Sequence, residues 1–156
     1  MIEQGAIQER GTTRRMQQAD IAAVASAFMI TFNAAPWHDE WCETGAQRYL
    51  GEFLANPQGM GWLLLQDGQI AGALIGNCRS WWSGAELFVD ECFVVPALQG
   101  MGLGGLLLQA VEIDLRAAGV QGMTLLTVAD YPAERFYQRH GFSGRDGMRF
   151  MFKPLE

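Results

Sequence analysis

Basic residues are scarce in this chain. Eleven lysines and arginines stand against seventeen acidic residues, for a formal net charge of −6. No basic run occurs, which argues against a nucleic-acid partner. Cysteine is scarce as well. Cys42, Cys78 and Cys92 form no C-x-x-C pair and have no histidine at metal-ligand spacing, so neither a disulfide framework nor a bound metal is expected. Scattered thiols in odd number point to a reducing, cytoplasmic setting. No apolar run reaches the length of a membrane span, and the first ten residues lack the basic start and apolar centre of a signal peptide. Repeats, low-complexity tracts and internal linkers are absent. What remains is 156 residues with 49% hydrophobic and 18% charged content. That composition excludes disorder and suits one domain over 1–156, with its core at roughly 12–153.

Glycine, by contrast, is concentrated where it can act. Residues 91–105 read Glu-Cys-Phe-Val-Val-Pro-Ala-Leu-Gln-Gly-Met-Gly-Leu-Gly-Gly: an apolar strand, a tight turn and a helix start. Downstream, Leu103, Leu106, Leu107, Ala110, Val111 and Leu115 share one helical face, and Gly119 marks its end. A glycine-rich helix start exposes backbone N–H groups at the positive end of the helix dipole, a site suited to phosphate. Close helix–strand packing is the other role such glycines can have. Gly100, Gly102 and Gly105 satisfy the dinucleotide pattern G-x-G-x-x-G, with Asp130 at the end of the next strand as a candidate ribose ligand. Too little chain follows Gly105, however, for the remaining units of a doubly wound sheet. The Walker pattern fails because Leu106 stands where its lysine belongs.

The remaining elements follow from periodicity. Residues 1–10 read as a loose polar lead-in. Thr12–Met16 is a short strand, and Asp20 caps a helix with Ile21, Val24, Ala25, Phe28 and Phe32 on one face. Thr44-Gly45-Ala46-Gln47 fits a capping box opening a second helix, with Ala46, Leu50, Phe53 and Leu54 inward. Residues 61–66 and 70–80 are strands joined at Asp67-Gly68, a type I′ hairpin signal. Trp81–Gly84 turns into a third strand, 86–95, that enters the glycine loop. Residues 123–128 form another strand, Pro132 starts a last helix that Gly141 ends, and 142–153 reads as a closing antiparallel pair. The order βααβββαβαββ is α+β with a mixed central sheet and helices on both faces.

Two motifs now resemble one family. Gln99-Gly100-Met101-Gly102-Leu103-Gly104 is similar to Q/R-x-x-G-x-G/A, the acetyl-CoA pyrophosphate loop of the GNAT superfamily of N-acetyltransferases. Ala133-Glu134-Arg135-Phe136-Tyr137-Gln138-Arg139-His140-Gly141-Phe142 resembles the second signature, A-x-x-F-Y-x-x-x-G-F. The resemblance implies acetyl-CoA as co-substrate, held by Gln99, Gly100, Met101, Gly102, Leu103, Gly104 and Gly105. It also implies backbone pairing of the pantetheine arm with Cys92, Phe93 and Val94, once this strand splays from its neighbour after residue 128. One departure is Asp130, where the family often has asparagine. An aspartate accepts a hydrogen bond but offers no amide donor, so a cofactor contact and a helix-cap role both stay open.

Acetyl transfer from a thioester needs a neutral amine, donors for the carbonyl oxygen and a proton for the leaving thiolate. Tyr137 matches the signature tyrosine beside the thioester sulfur and is the candidate acid. Adjacent strand residues face opposite sides, so only one of Asp90 and Glu91 should face the cleft. Glu91 shares a side with Phe93 and Val95, Asp90 with Cys92 and Val94; the resemblance favours Glu91 as base, since many relatives carry a glutamate here, with Asp90, Glu86, His38 or a water as alternatives. The resemblance further implies that Trp37, Glu40, Trp41, Trp82 and Glu86 converge as an aromatic and acidic acceptor site, suited to a cationic amine, either a small molecule or a peptide. A homodimer is compatible with this reading, and neither nucleic acid nor membrane is an expected partner. The expected activity is N-acetylation by direct attack in a ternary complex. A non-catalytic acyl-CoA sensor on the same fold is the alternative.

Overall fold

The computed structural model describes residues 11–155; the polar lead-in expected over 1–10 lies outside them. The chain divides into a larger unit ending at Leu126 and a smaller one starting at Thr127. In the larger unit, five strands form one sheet in the order β1-β2-β3-β4-β5. They are β1 Thr12–Arg15, β2 Gly59–Gln66, β3 Gln69–Arg79, β4 Glu86–Val94 and β5 Gly122–Leu125. The first four pair antiparallel, and β5 joins β4 in parallel. The helices α1 Ile21–Phe32, α2 Glu43–Ala55 and α3 Leu103–Ala117 complete the unit. This is the mixed α+β architecture read from the sequence.

Local chemistry sets most boundaries. Asp67 and Gly68 both adopt positive φ, 51° and 73°, as a type I′ turn demands. Gly119 takes φ 75°; its N–H bonds Arg116 O and the Val120 N–H bonds Leu115 O, the paired bonds of a Schellman stop. Two expected caps are corrected. Asp20 makes no side-chain cap on α1; its carboxylate instead takes two 2.8 Å bonds from the Arg14 guanidinium and one from the Gln17 N–H. Thr44 opens no helix: α2 begins at Glu43, whose carboxylate accepts from the Gln47 amide.

The sheet separates two cores. Leu63, Ala73, Ile75 and Phe93 face α1 and α2, packing with Val24, Ala25, Phe28, Ala46, Leu50 and Phe53. The alternate residues, Trp62, Leu64, Leu74, Leu87 and Val89, are buried on the face that α3 covers with Leu107, Leu108, Val111 and Leu115. Trp62, only 1% exposed, donates its indole N–H to Asp114 of α3 at 2.8 Å.

The smaller unit holds α4, Pro132–Arg139. The closing strand pair expected over 142–153 is not formed: no strand follows β5 among the described residues. Gly144 and Gly147 flank Arg145-Asp146, where the Met148 N–H turns back to Arg145 O. Glycine weakens a strand, and Phe150, Met151 and Phe152 lie exposed with no ladder partner.

Removing the Asp114 carboxylate would strand the buried Trp62 N–H. Asp114→Ala is expected to destabilise the fold by about 1–3 kcal/mol, read as a lower midpoint in urea unfolding with the m-value unchanged.

Candidate active site

Strand β4 departs from simple alternation in its middle. Val89 pairs with Gly76 and Glu91 with Ile75, so Asp90 is an extra, bulged residue. A Cβ on Gly76 would run into the Phe88 carbonyl oxygen, so glycine lets the two backbones approach at the bulge. The consequence corrects the expectation that only one of the two acids can face the cleft. Asn77 and Ile75 lie on the face toward α1 and α2. Glu91 shares that face, and Asp90 accepts from the Asn77 amide at 3.1 Å. Asn77 is itself fixed by Asn56, which donates to its side-chain oxygen at 2.8 Å.

Glu91 sits in an aromatic setting. Tyr49 of α2 donates its hydroxyl to Glu91 Oε1 at 2.8 Å. The Tyr49 ring stacks on Trp41, with centroids 5.1 Å apart and planes at 26°. Phe28 contacts Trp41, Tyr49 and Phe93, and Phe32 contacts Phe93 and Trp37. The Trp41 indole N–H reaches Asp39 at 3.2 Å, and Asn33 holds the Trp41 backbone through both its amide and its N–H acceptor oxygen. Burial pushes the Glu91 carboxyl up to about 7; the Tyr49 hydrogen bond opposes this, while Asp90 and Asp39 add to it. Burial raises Asp90 as well, against the Asn77 bond and Arg79. Tyr49 is pushed far above the ordinary phenol range by burial and by the Glu91 charge, so it remains a donor throughout the physiological range.

The glycine loop follows directly. Gly100 and Gly102 take φ 76° and 80°, and a Cβ at either would meet no atom within 4 Å. At these two positions glycine is needed for backbone conformation, not for close packing. Gly102 is the N-cap of α3, and no side chain caps the helix, so its first N–H groups, at Leu103, Gly104 and Gly105, are left to an outside acceptor. Met101 is exposed. Gln99 turns its amide back to Val94 O at 2.8 Å, tying the loop to the strand end. Beyond the Val89–Leu125 pair, β5 no longer lines β4. Along Cys92, Phe93 and Val94, β3 is the one strand that pairs with β4 among the described residues. The splay comes at Leu125 rather than after residue 128.

The other sequence candidates fall in different places. Trp37 is half-buried against Phe32, Glu40 is exposed, and His38 is exposed at φ 55°. Trp82 is 89% exposed in the turn before β4. Glu86 starts that strand opposite Arg79, roughly 15 Å from Glu91 at the usual rise per residue. The expected convergence of the two tryptophan turns is thus not seen: Trp37 and Trp41 join the Glu91 cluster, while Trp81 and Trp82 lie at the far end of β4. In the smaller unit, Tyr137 packs between Phe136 and Phe142 on α4. Asp130 adopts φ 65° and its N–H is capped by Glu134 at 2.7 Å; Tyr131, not Asp130, is the helix N-cap. Tyr49 and Asn77 were absent from the sequence candidates. Tyr49 lies three residues after Ala46 and four before Phe53, on the inward face of α2, so helical spacing could have flagged it.

The raised Glu91 carboxyl carries a signed prediction. Its folded pKa, about 7, lies above the ordinary 4.5, so the native state binds more protons between these values and stability falls as pH rises through that window. Glu91→Gln, which keeps an acceptor for Tyr49, should gain stability relative to wild type from pH 5 to pH 8. Parallel urea titrations check this; an equal difference at both pH values would contradict it.

Known proteins share this architecture. The model of the Acetyltransferase (GNAT) family matches residues 23–142. An acetyltransferase of Agrobacterium fabrum is 32% identical over 77 residues, 49% of this chain and 53% of that protein. The match thus spans about half the length of that curated relative. An aminoglycoside acetyltransferase from an uncultured soil metagenomic sample, solved with sisomicin, is similar in structure with a TM-score of 0.75 and 14% identity, covering 94% of this chain and 97% of that one. A transcriptional regulator from Bacillus halodurans C-125 reaches 0.74 at 16% identity, covering 91% and 99%. At such identities these structures establish the fold alone. The family match, in contrast, takes in both signatures and most of the sheet, and by it the chain belongs to the GNAT family of acetyltransferases.

Proposed function

We propose that this protein transfers the acetyl group of acetyl-CoA to a primary amine by direct attack in a ternary complex. The observation that carries the reading is Glu91: a carboxylate held near neutrality by burial, hydrogen-bonded to Tyr49, on the strand that feeds an uncapped, glycine-started helix. A base is most effective when its pKa lies near the working pH. The open space at Gly100 and Gly102 fits a pyrophosphate, and the stretch of β4 beyond its pairing with β5, at Cys92, Phe93 and Val94, suits the amides of a pantetheine arm. Gln99 would hold the loop in place for both.

In this reading Glu91 takes the proton of the bound ammonium. The amine nitrogen then forms its bond to the acyl carbon as the carbon–sulfur bond breaks. Tyr137, whose ordinary pKa is about 10, gives its proton to the departing thiolate, and the second proton that the nitrogen sheds on becoming an amide passes through solvent to restore the phenol. Asp39, Glu40 and Asp90, with the faces of Trp37 and Trp41, favour a cationic acceptor, each ring contributing about 0.5–2 kcal/mol. The similar structure solved with sisomicin is consistent with such an acceptor. Trp82 and Glu86 would engage only an acceptor long enough to follow β4. Asp130 is a weaker candidate for cofactor contact, with its amide already bonded to Glu134. The second reading, a non-catalytic acyl-CoA sensor, is favoured by the similarity to a transcriptional regulator.

Thiol release from acetyl-CoA over a panel of amines separates the two readings, since a sensor binds without turnover. For the best acceptor, kcat/KM should rise with pH through about 7. Glu91→Gln should lower it by about 10²-fold and remove that rise; Tyr137→Phe should lower kcat by about 10²-fold with acetyl-CoA affinity retained. An unchanged profile in Glu91→Gln would give the role of base to another group.

The loop is tested independently of turnover. Gly102→Glu places a charged side chain in the open space at a positive φ, and CoA binding should be lost by calorimetry. Full affinity in a folded Gly102→Glu protein would remove the pyrophosphate assignment.

A further inference from the structure

We propose that Tyr49 is a positioning residue for the base: its hydroxyl fixes Glu91 Oε1 and leaves Oε2 as the oxygen that receives the proton of the acceptor amine. This rests on the reading of Glu91 as base and adds to it a residue that no family signature contains. The geometry is specific. Tyr49 donates to Oε1 at 2.8 Å, whereas Oε2 accepts no hydrogen bond among the described residues. A carboxylate free to rotate would present either oxygen; one pinned by a phenol presents one.

The phenol is in turn held from three sides. Its ring stacks on Trp41, meets Phe53 edge-on at 5.2 Å and tilts against Phe28 at 5.9 Å. Trp41 is fixed by Asn33 and Asp39. A base oriented by a third group is a recurring arrangement in acid–base catalysis. Here the orienting group is uncharged, so it adds no cation that would pull the carboxyl far down.

The groups facing Glu91 can be enumerated by element. Its own strand supplies Asp90, which is balanced by Asn77 and by Arg79 of β3. The loop after α1 supplies Asp39, and α2 supplies Tyr49, with Glu52 acting on the phenol. From α1 come Phe28 and Phe32, which carry no charge. Tyr49 is therefore the group on this face that favours the charged carboxylate, and its hydroxyl opposes both burial and the two aspartates. Removing that hydroxyl alone must move the Glu91 titration upward.

Tyr49→Phe keeps the ring and its contacts, so the fold should persist. Two readouts are taken on the full chain. The first is the titration of the Glu91 side-chain carbonyl carbon by 13C NMR, assigned by its loss in Glu91→Gln. The second is the pH profile of kcat/KM with the best amine found in the panel. The expected result is an upward displacement of both by about one pH unit. That gives a loss of about tenfold in kcat/KM at pH 6, largely recovered at pH 9, and no displacement when Tyr49→Phe is placed on Glu91→Gln. If the carbon titrates as in wild type, Tyr49 does not tune Glu91 and the proposal is overturned. If the carbon moves but the rate profile does not, the contact is real and Glu91 is not the base, which overturns the reading beneath it. If Tyr49→Phe unfolds, Tyr49→Met in place of it removes the hydroxyl with a flexible side chain, and the same two displacements decide.

Discussion

One strand must satisfy two incompatible demands. Strand β4 is held to β3 along its length, yet it has to bring acidic side chains to the helix-covered face and leave its other edge open. The bulge at Asp90 meets both. It inserts a residue opposite the Gly76–Ile75 step, increases the local twist, and coincides with the point where pairing to β5 ends, at Val89 and Leu125. Glycine at 76 is what allows it, since any Cβ there would strike the Phe88 carbonyl. Without the extra residue Asp90 would point toward α3, away from Asn77, and the two acids would be divided between two cores.

Placing carboxylates together in an apolar layer is unfavourable unless each is hydrogen-bonded. The structure answers with neutral donors: Tyr49 for Glu91, and Asn77, backed by Asn56, for Asp90. The choice matters chemically. The surface pair Arg14–Asp20 shows the opposite solution, a guanidinium that holds its carboxylate below the usual range. Such a carboxylate is stable but too weak a base to take a proton from an amine near pH 7. A phenol or an amide satisfies the oxygen without that penalty, and burial, helped by two neighbouring aspartates, keeps the carboxyl high. If Glu91 is the base, as proposed, stability is lost to obtain basicity, and perturbed carboxyls of this kind cluster at functional sites.

What the sequence made legible was mostly backbone demand. The Asp67-Gly68 turn, the stop at Gly119 and the glycine loop each require φ values that few residues accept, and they were read correctly from the residue types alone. The layer pattern of α1, α2 and α3 was likewise carried by apolar spacing. The bulge was not legible, although Gly76 inside a strand was a hint. The Tyr49–Glu91 contact joins residues 42 apart in the chain, and no local pattern encodes such a pairing. The closing strands over 142–153 failed for a related reason: apolar residues there suggested alternation, but a strand is defined by its ladder partner, and Gly144 and Gly147 favour turning.

The tryptophans show how far composition can mislead about a site. Trp37, Trp41, Trp81 and Trp82 look equivalent in sequence, each in a predicted loop beside acidic residues. Burial separates them. Trp41 is clamped by Asn33 and stacked on Tyr49, so its ring is part of the scaffold that holds Glu91. Trp82 is almost wholly exposed, and the neighbouring Arg79 lies over Phe88 at 4.9 Å, which sets a cation beside that turn. The two aromatic pairs therefore differ in charge environment: the first is acidic, the second mixed. Under the proposed activity, a compact amine would have reason to settle at the first alone. Selection of an extended acceptor would depend on whether its distal end complements a tryptophan turn that also carries a guanidinium, so the distal end is where neutral or anionic groups would be tolerated.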